Sequence, residues 1–324
     1  MSDKKHAILF LSFAALFLLC SCASKTHSIK KLSRSYSNFL NGLVSDRLGH
    51  FEEAASYYRR AQDYDQTASE LHLHLAFDLI KLEKYTQAAG ELKKVLSSAP
   101  QQDDARYILA LLYVQLNSYE KAIEQFEHLL KSRLDHRLQN IELRRILSQL
   151  YFLRGNIPQA RYQCGEILKL DPLNQMGLYF LVAIDLQESD IEAAISGYQA
   201  IIENYPLDGE AKNDLAYLYS EEGINLPQAL MLAETAVELD PSNGAYIDTL
   251  GWIYFKMGDF DQAILYLEKA SKLTFDPEIL NHLGQAYAAK NMMSEACQAW
   301  KASLRLDPTQ KNIRDFLKKE EQKR

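Results

Sequence analysis

The residues able to do chemistry in this 324-residue chain are eight histidines, four cysteines and 43 carboxylates. Catalysis or metal binding would need some of them gathered at defined spacings. His72 and His74 stand two apart in a stretch of helical periodicity, so they point to different faces and do not make a metal pair. The other histidines are scattered singly. No G-x-S-x-G, H-E-x-x-H or glycine-rich phosphate loop occurs. The carboxylates fall mostly on solvent faces. No nucleophile–base pair, metal set or cofactor site is legible, and neither an enzyme nor a bound cofactor is expected. A net charge of −7 gives no basic footprint for nucleic acid.

The N-terminal cysteines carry a different chemistry. Lys4 and Lys5 precede the apolar run AILFLSFAALFLL, residues 7–19. That run is shorter than the roughly 20 residues of a membrane span and fits the core of a secretory signal peptide. An uncleaved short anchor is the alternative. The run ends in LCSC, Leu19 to Cys22, which resembles a bacterial lipobox, with Cys20 where Ala, Ser or Thr is usual. The resemblance implies removal of residues 1–21 and acylation of Cys22 as the new N-terminus. Several acyl chains anchor stably where one binds only marginally. Ala23 follows Cys22, where Asp would retain a lipoprotein in the inner membrane of a Gram-negative cell. The implied address is therefore the outer membrane, facing the periplasm. Residues 22–34 are polar and carry Lys25, Lys30, Lys31 and Arg34. They read as a flexible tether, with a weak membrane-surface contact as the alternative.

What must position any site is a repeat. Small residues recur as Gly42, Ala76, Ala110, Ser148, Val182, Ala216, Gly251 and Gly284, and again as Ala54, Ala88, Ala122, Ala160, Ala194, Ala229, Ala263 and Ala296. Closing prolines stand at Pro100, Pro172, Pro206, Pro241 and Pro308. Gly49, Gly155, Gly223 and Gly258, with Asn117 and Asn291, share one position suited to a left-handed helix cap. This pattern resembles the tetratricopeptide repeat (TPR) over about residues 35–310. The resemblance implies an all-α solenoid, a right-handed superhelix of helix–turn–helix units starting near 35, 69, 103, 141, 175, 209, 244 and 277. Residues 137–140 are its one insertion, and 311–324 read as a polar capping helix. In such an array Cys164 and Cys297, four repeats apart, are too distant for a disulfide. Both read as small core residues.

The site then becomes a surface. In this family the first helix of each repeat lines a concave groove. By register the inward positions include Phe77, Tyr107, Leu111, Phe152, Tyr179, Asn213, Tyr217, Asp248, Trp252, Phe255 and Asn281. So aromatic a lining points to a protein-binding groove, unless tight winding or a homo-oligomer buries it. Asn213, Asp248 and Asn281 share one register position. They could form a polar ladder along a peptide backbone, or simply be solvated. The lysines of the clamp that TPR chaperone partners use for a terminal carboxylate are missing at the matching positions. Over about residues 210–310, the segments DTLGW and DPEILNHLG resemble a group of bacterial TPR lipoproteins. Some of that group serve as adaptors for a carboxyl-terminal processing protease and its cell-wall hydrolase substrates. The resemblance implies a lipid-anchored scaffold with periplasmic protein partners. An assembly factor for a pilus secretin or a polysaccharide exporter is the alternative.

Overall fold

A computed structural model describes residues 30–132 and 137–322, and Cys22 lies outside them. The described residues form seventeen helices and no strands. The helix α1 spans 30–47. It is followed by α2 (Phe51–Gln62), α3 (Ser69–Lys81), α4 (Tyr85–Ser98), α5 (Asp103–Gln115), α6 (Tyr119–Ser132), α7 (Arg137–Leu153) and α8 (Ile157–Leu170). Then come α9 (Gln175–Gln187), α10 (Ile191–Asn204), α11 (Gly209–Glu222), α12 (Leu226–Leu239), α13 (Gly244–Met257) and α14 (Phe260–Leu273). The last three are α15 (Pro277–Ala289), α16 (Met293–Leu306) and α17 (Lys311–Gln322). Residues 30–34, expected as the end of a tether, are helical. Residues 137–140 add a turn to the start of α7.

The chain divides into two compact units, the first ending at Gln163 and the second starting at Cys164. Within each, odd-numbered and even-numbered helices pair antiparallel and successive pairs stack. The small positions explain the pairing. A Cβ added to Gly251 on α13 would lie 2.8 Å from Leu267 Cγ on α14, and one on Gly284 would lie 2.4 Å from Trp300 Nε1. The alanines from Ala54 to Ala296 at the second small position are all wholly buried. Large side chains then fill the spaces between pairs: Tyr58 and Phe126 in the first unit, Tyr219, Leu215 and Ile201 in the second. Each fully buried side chain of this size contributes about 1.5–3 kcal/mol.

The turns follow the register throughout. Gly49, Gly155, Gly223 and Gly258 have positive φ, as do Asn117 and Asn291. Glu83 and Ser189 occupy the same position in the other two repeats, also with positive φ. Repetition, not residue type, forces the left-handed geometry there. In the second unit Asn174, Asp208, Asn243 and Asp276 cap α9, α11, α13 and α15 by accepting from backbone N–H groups of the first turn. The last helix α17 buries Ile313 and Leu317, and its Phe316 ring meets Trp300 edge-on at 4.8 Å. That contact covers the apolar end of the stack, as a solenoid terminus requires.

Candidate functional site

The first helices of the second unit, α9, α11, α13 and α15, present the residues expected to line a groove. Those residues separate into a packed part and an open part.

The packed part joins α11, α13 and α15. Trp252 is only 6% exposed. Its ring stacks on Phe255 at 4.7 Å and on His282 of α15 at 4.1 Å. Its Nε1 donates to Glu221 Oε1 of α11 at 2.7 Å. Lys256 Nζ pairs with the same carboxylate at 3.0 Å and sits over the Trp252 ring. On the far side, His282 Nδ1 meets both Asp248 oxygens at 3.0–3.1 Å. Burial raises the Asp248 pKa, and the contact with His282 opposes the rise without cancelling it. Burial also pushes Glu221 up. The hydrogen bonds from Trp252 and Lys256 outweigh that and hold its carboxyl below the usual range. Tyr217 Oη donates to Glu278 at 3.1 Å, from α11 to α15. Burial first, then the Glu278 and Glu221 charges, push the Tyr217 pKa above that of free tyrosine.

This network corrects part of the sequence reading. Asp248, at 7% exposure, is a buried partner of His282 and not a rung offered to a peptide. Asn281 accepts from Trp300 Nε1 at 3.2 Å. Asn213 donates to Asp214 at 3.3 Å while its buried Oδ1 has no hydrogen-bond partner, so two of the three ladder positions are engaged inside the fold. Trp252 is packing too, and Phe255 and Tyr217 are half-buried beside it. The physical reason is close approach. Where α11, α13 and α15 touch, side chains this large meet each other before they meet a ligand.

The open part lies between α9 and α11. In most repeats the residue after the small one is large, as in Tyr217 and Trp252; on α9 it is Ala183. That missing volume opens a cavity of about 880 Å³, lined by Met176, Tyr179, Phe180, Tyr205 and Leu207, with Asp208 and Glu210 at its α11 edge. This is the size of a ligand pocket. Met176 and Leu207 are 52% and 81% exposed. Tyr179 Oη donates to both Asp208 oxygens at 2.9 Å, and Gln175 donates to Oδ2 at 2.7 Å. Asp208 also caps α11 through Ala211 N–H at 2.9 Å. The capping aspartate thereby fixes the cavity wall. Burial, with the Asp208 bond and the nearby Glu210 and Asp214 charges, raises the Tyr179 pKa. Of the expected groove residues only Tyr179 lines this cavity. Sequence reasoning missed Met176, Phe180, Leu207 and Glu210, and the legible signal was Ala183 itself.

In the first unit Tyr107 lines a cavity of about 340 Å³ with Asp104, Leu138 and Glu142. Its ring meets Phe126 edge-on at 5.8 Å. Leu111 is 44% exposed and Phe77 38%, and Phe152 is half-buried. His72 is buried, 2.6 Å from Glu91 Oε2, while His74 stacks on Tyr58. Among the described residues no group of three or more His, Cys, Asp or Glu could hold a metal. Among them too, no helix is long and apolar enough to cross a membrane.

Family models described as tetratricopeptide repeat match residues 36–67, 79–140, 246–277 and 277–310. The bovine BBSome complex member BBS4 is 24% identical over 302 residues, 90% of this chain and 54% of that protein. The TPR repeat-containing protein PA4667 of Pseudomonas aeruginosa is 28% identical over 120 residues, 37% of this chain and 20% of that protein. The chain thus spans about half the length of the first of these relatives, and less of the second. Among solved structures, yeast Tom70 superposes with a TM-score of 0.51 at 20% identity, over 89% of this chain and 65% of that one. A chain of the APC/C hetero-tetramer Cut9–Hcn1 gives 0.50 at 16%, over 87% and 69%. At such identities the structural likeness establishes the fold.

Proposed function

We propose that this chain, a tetratricopeptide-repeat protein, works as a lipid-anchored scaffold that holds other proteins on its first-helix face. TPR proteins serve as protein-binding scaffolds, and the open cavity between α9 and α11 is the observation that carries the reading here. An apolar hollow of about 880 Å³ beside exposed Met176 and Leu207 is the sort of surface a partner side chain fills. The anchor is Cys22, and the address is the periplasmic face of the outer membrane. Both rest on the lipobox resemblance of LCSC and on Ala23.

The sharper version is an adaptor that gathers a carboxyl-terminal processing protease and its cell-wall hydrolase substrates. It is supported by the likeness of residues 210–310 to lipoproteins of that kind. Two partners on one scaffold meet at an effective concentration of about mM, which raises cleavage without any catalytic group on the scaffold. The test is reconstitution with the protease of the same cell. The purified chain should speed cleavage of a wall hydrolase. A double variant in the cavity lining, Met176→Asp with Leu207→Asp, should fold normally yet lose that effect, because both side chains are exposed. No change in cleavage with the wild-type chain rejects the adaptor role. Loss of pili or exported polysaccharide on deletion, with normal hydrolase turnover, favours the assembly-factor alternative.

A further inference from the structure

The cavity beside Tyr179 has counterparts. Two other cavities occupy the same place in the repeat. Each lies between the first helix of one repeat and the start of the next, and each holds the residue three before the small position of its own repeat. That residue is Phe39 in a cavity of about 170 Å³, Tyr107 in one of about 340 Å³ and Tyr179 in one of about 880 Å³. Each is also lined by the residue six before the small position of the following repeat, and that residue is always a glutamate: Glu70, Glu142 and Glu210. A second carboxylate joins each, Asp65, Asp104 and Asp208. Among the described residues no lysine or arginine lines any of the three. The alternate repeats lack the aromatic, having Leu73, Arg145 and Asn213 at the equivalent position.

The three differ in what their charge is free to do. Glu142 is forked by Arg145 Nη2 at 2.6 Å and Nε at 2.9 Å. Glu70 lies 3.8 Å from His74. Glu210 stands exposed beside Asp208, and the nearest lysine in sequence, Lys212, is buried and donates to the Pro206 carbonyl. The negative charge at the α9–α11 edge is therefore not balanced by a basic side chain lining the cavity. The apolar floor and the acidic lip together ask for a ligand that is apolar and cationic at adjacent points.

We infer that the α9–α11 cavity is a socket for a peptide segment in which a bulky apolar side chain is followed by lysine or arginine. The apolar group sits over Ala183 against Met176 and Phe180, and the cation meets Glu210. This deepens the scaffold reading and rests on it, since it names the chemistry of the segment bound. Charge complementarity of this sort selects the partner more than it adds affinity. The pattern recurs at Phe39 and Tyr107, but there Glu142 is occupied by Arg145 and Glu70 lies beside His74, which leaves the α9–α11 cavity as the socket.

The test uses the full chain and three fluorescein-labelled synthetic peptides, identical but for a central Phe-Arg, Phe-Glu or Ser-Arg, read by anisotropy. Phe-Arg should bind at least tenfold tighter than either of the others. Glu210→Lys should reverse the preference between Phe-Arg and Phe-Glu, while Ala183→Trp should remove binding of both. Residues 183 and 210 are exposed, and an unchanged melting curve verifies that each variant folds. Equal binding of Phe-Arg and Phe-Glu overturns the inference, as does binding unaffected by Ala183→Trp. A dimer that Ala183→Trp dissociates would overturn it too, by assigning the socket to a second copy of the chain. If partners are held in the native envelope but Glu210→Lys leaves them held, the scaffold stands and the socket chemistry falls. If nothing is held, the scaffold reading falls first.

Discussion

Replacing one glycine by alanine at two places in the second unit should move stability in opposite directions. In a helix interior the exchange gains about 0.8–1 kcal/mol, because glycine loses more backbone freedom on folding. Gly165, inside α8, has nothing within 4 Å of an added Cβ, so Gly165→Ala should show that gain. Gly251, inside α13, faces a wall. The new methyl would sit 2.8 Å from Leu267 Cγ and 3.2 Å from the Leu267 backbone nitrogen. Leu267 is wholly buried and cannot yield. Overpacking of this kind costs about 1–3 kcal/mol. Gly251→Ala should therefore be destabilised by roughly 0–2 kcal/mol after the helical gain is subtracted. The propensity gain is common to both variants, so the gap between them, about 1–3 kcal/mol, measures the α13–α14 approach alone. Urea unfolding followed by circular dichroism, with m-values compared, reads it. Equal and same-signed shifts for both variants would refute the claim that small residues set the spacing of the helix pairs.

Acidity gives a second handle. Asp78 is buried on α3 beside Asp46, with Lys81 Nζ 3.8 Å from its Oδ1. Burial, then the charge of Asp46 and a hydrogen bond with it, lift its pKa to about 7 against the opposing pull of Lys81. The native state then keeps a proton that the unfolded chain has already released. Stability of the first unit should fall between about pH 4 and pH 7, and Asp78→Asn should flatten that slope. The neighbouring Asp46, lowered first by its bond to Lys81, acts with the opposite sign but below that window. A slope unchanged in Asp78→Asn would count against this assignment. Trp252→Ala should lower stability by about 3–5 kcal/mol, because it empties the stack between Phe255 and His282; a melting curve equal to wild type would return Trp252 to the groove surface. Cys22→Ser should abolish labelling by a fatty-acid probe and release the chain from membranes, and continued labelling would reject Cys22 as the anchor.

The helical pairs were legible in the sequence because the close approaches leave a rigid mark. Gly251, Gly284 and the alanines from Ala54 to Ala296 recur where two backbones meet, and nothing larger fits. The same register places Gly49 and Asn117 at left-handed turns, yet Glu83 and Ser189 adopt that geometry without the expected residue. The site was less legible. Register says which helix face a side chain occupies but not whether its neighbours have already claimed it. Trp252 and Asp248 lie on the expected face and are consumed by His282 and Glu221. The opening beside Tyr179 comes from a residue that is small, Ala183, and from a loop holding Leu207, neither of which an inventory of aromatic positions reveals. Glu210 looked like one more surface carboxylate until Tyr179 and Asp208 were placed beside it.

The central claim is that the α9–α11 cavity is where this scaffold meets its partner. A photo-crosslinking phenylalanine derivative at position 183, expressed in the full chain in its native cells, tests it most directly. The same group at Met231, 67% exposed on α12, is the control from a second helix. The account predicts a discrete adduct from 183, absent from 231 and lost in Glu210→Lys. No adduct at 183, or the same adduct from both positions, would contradict it.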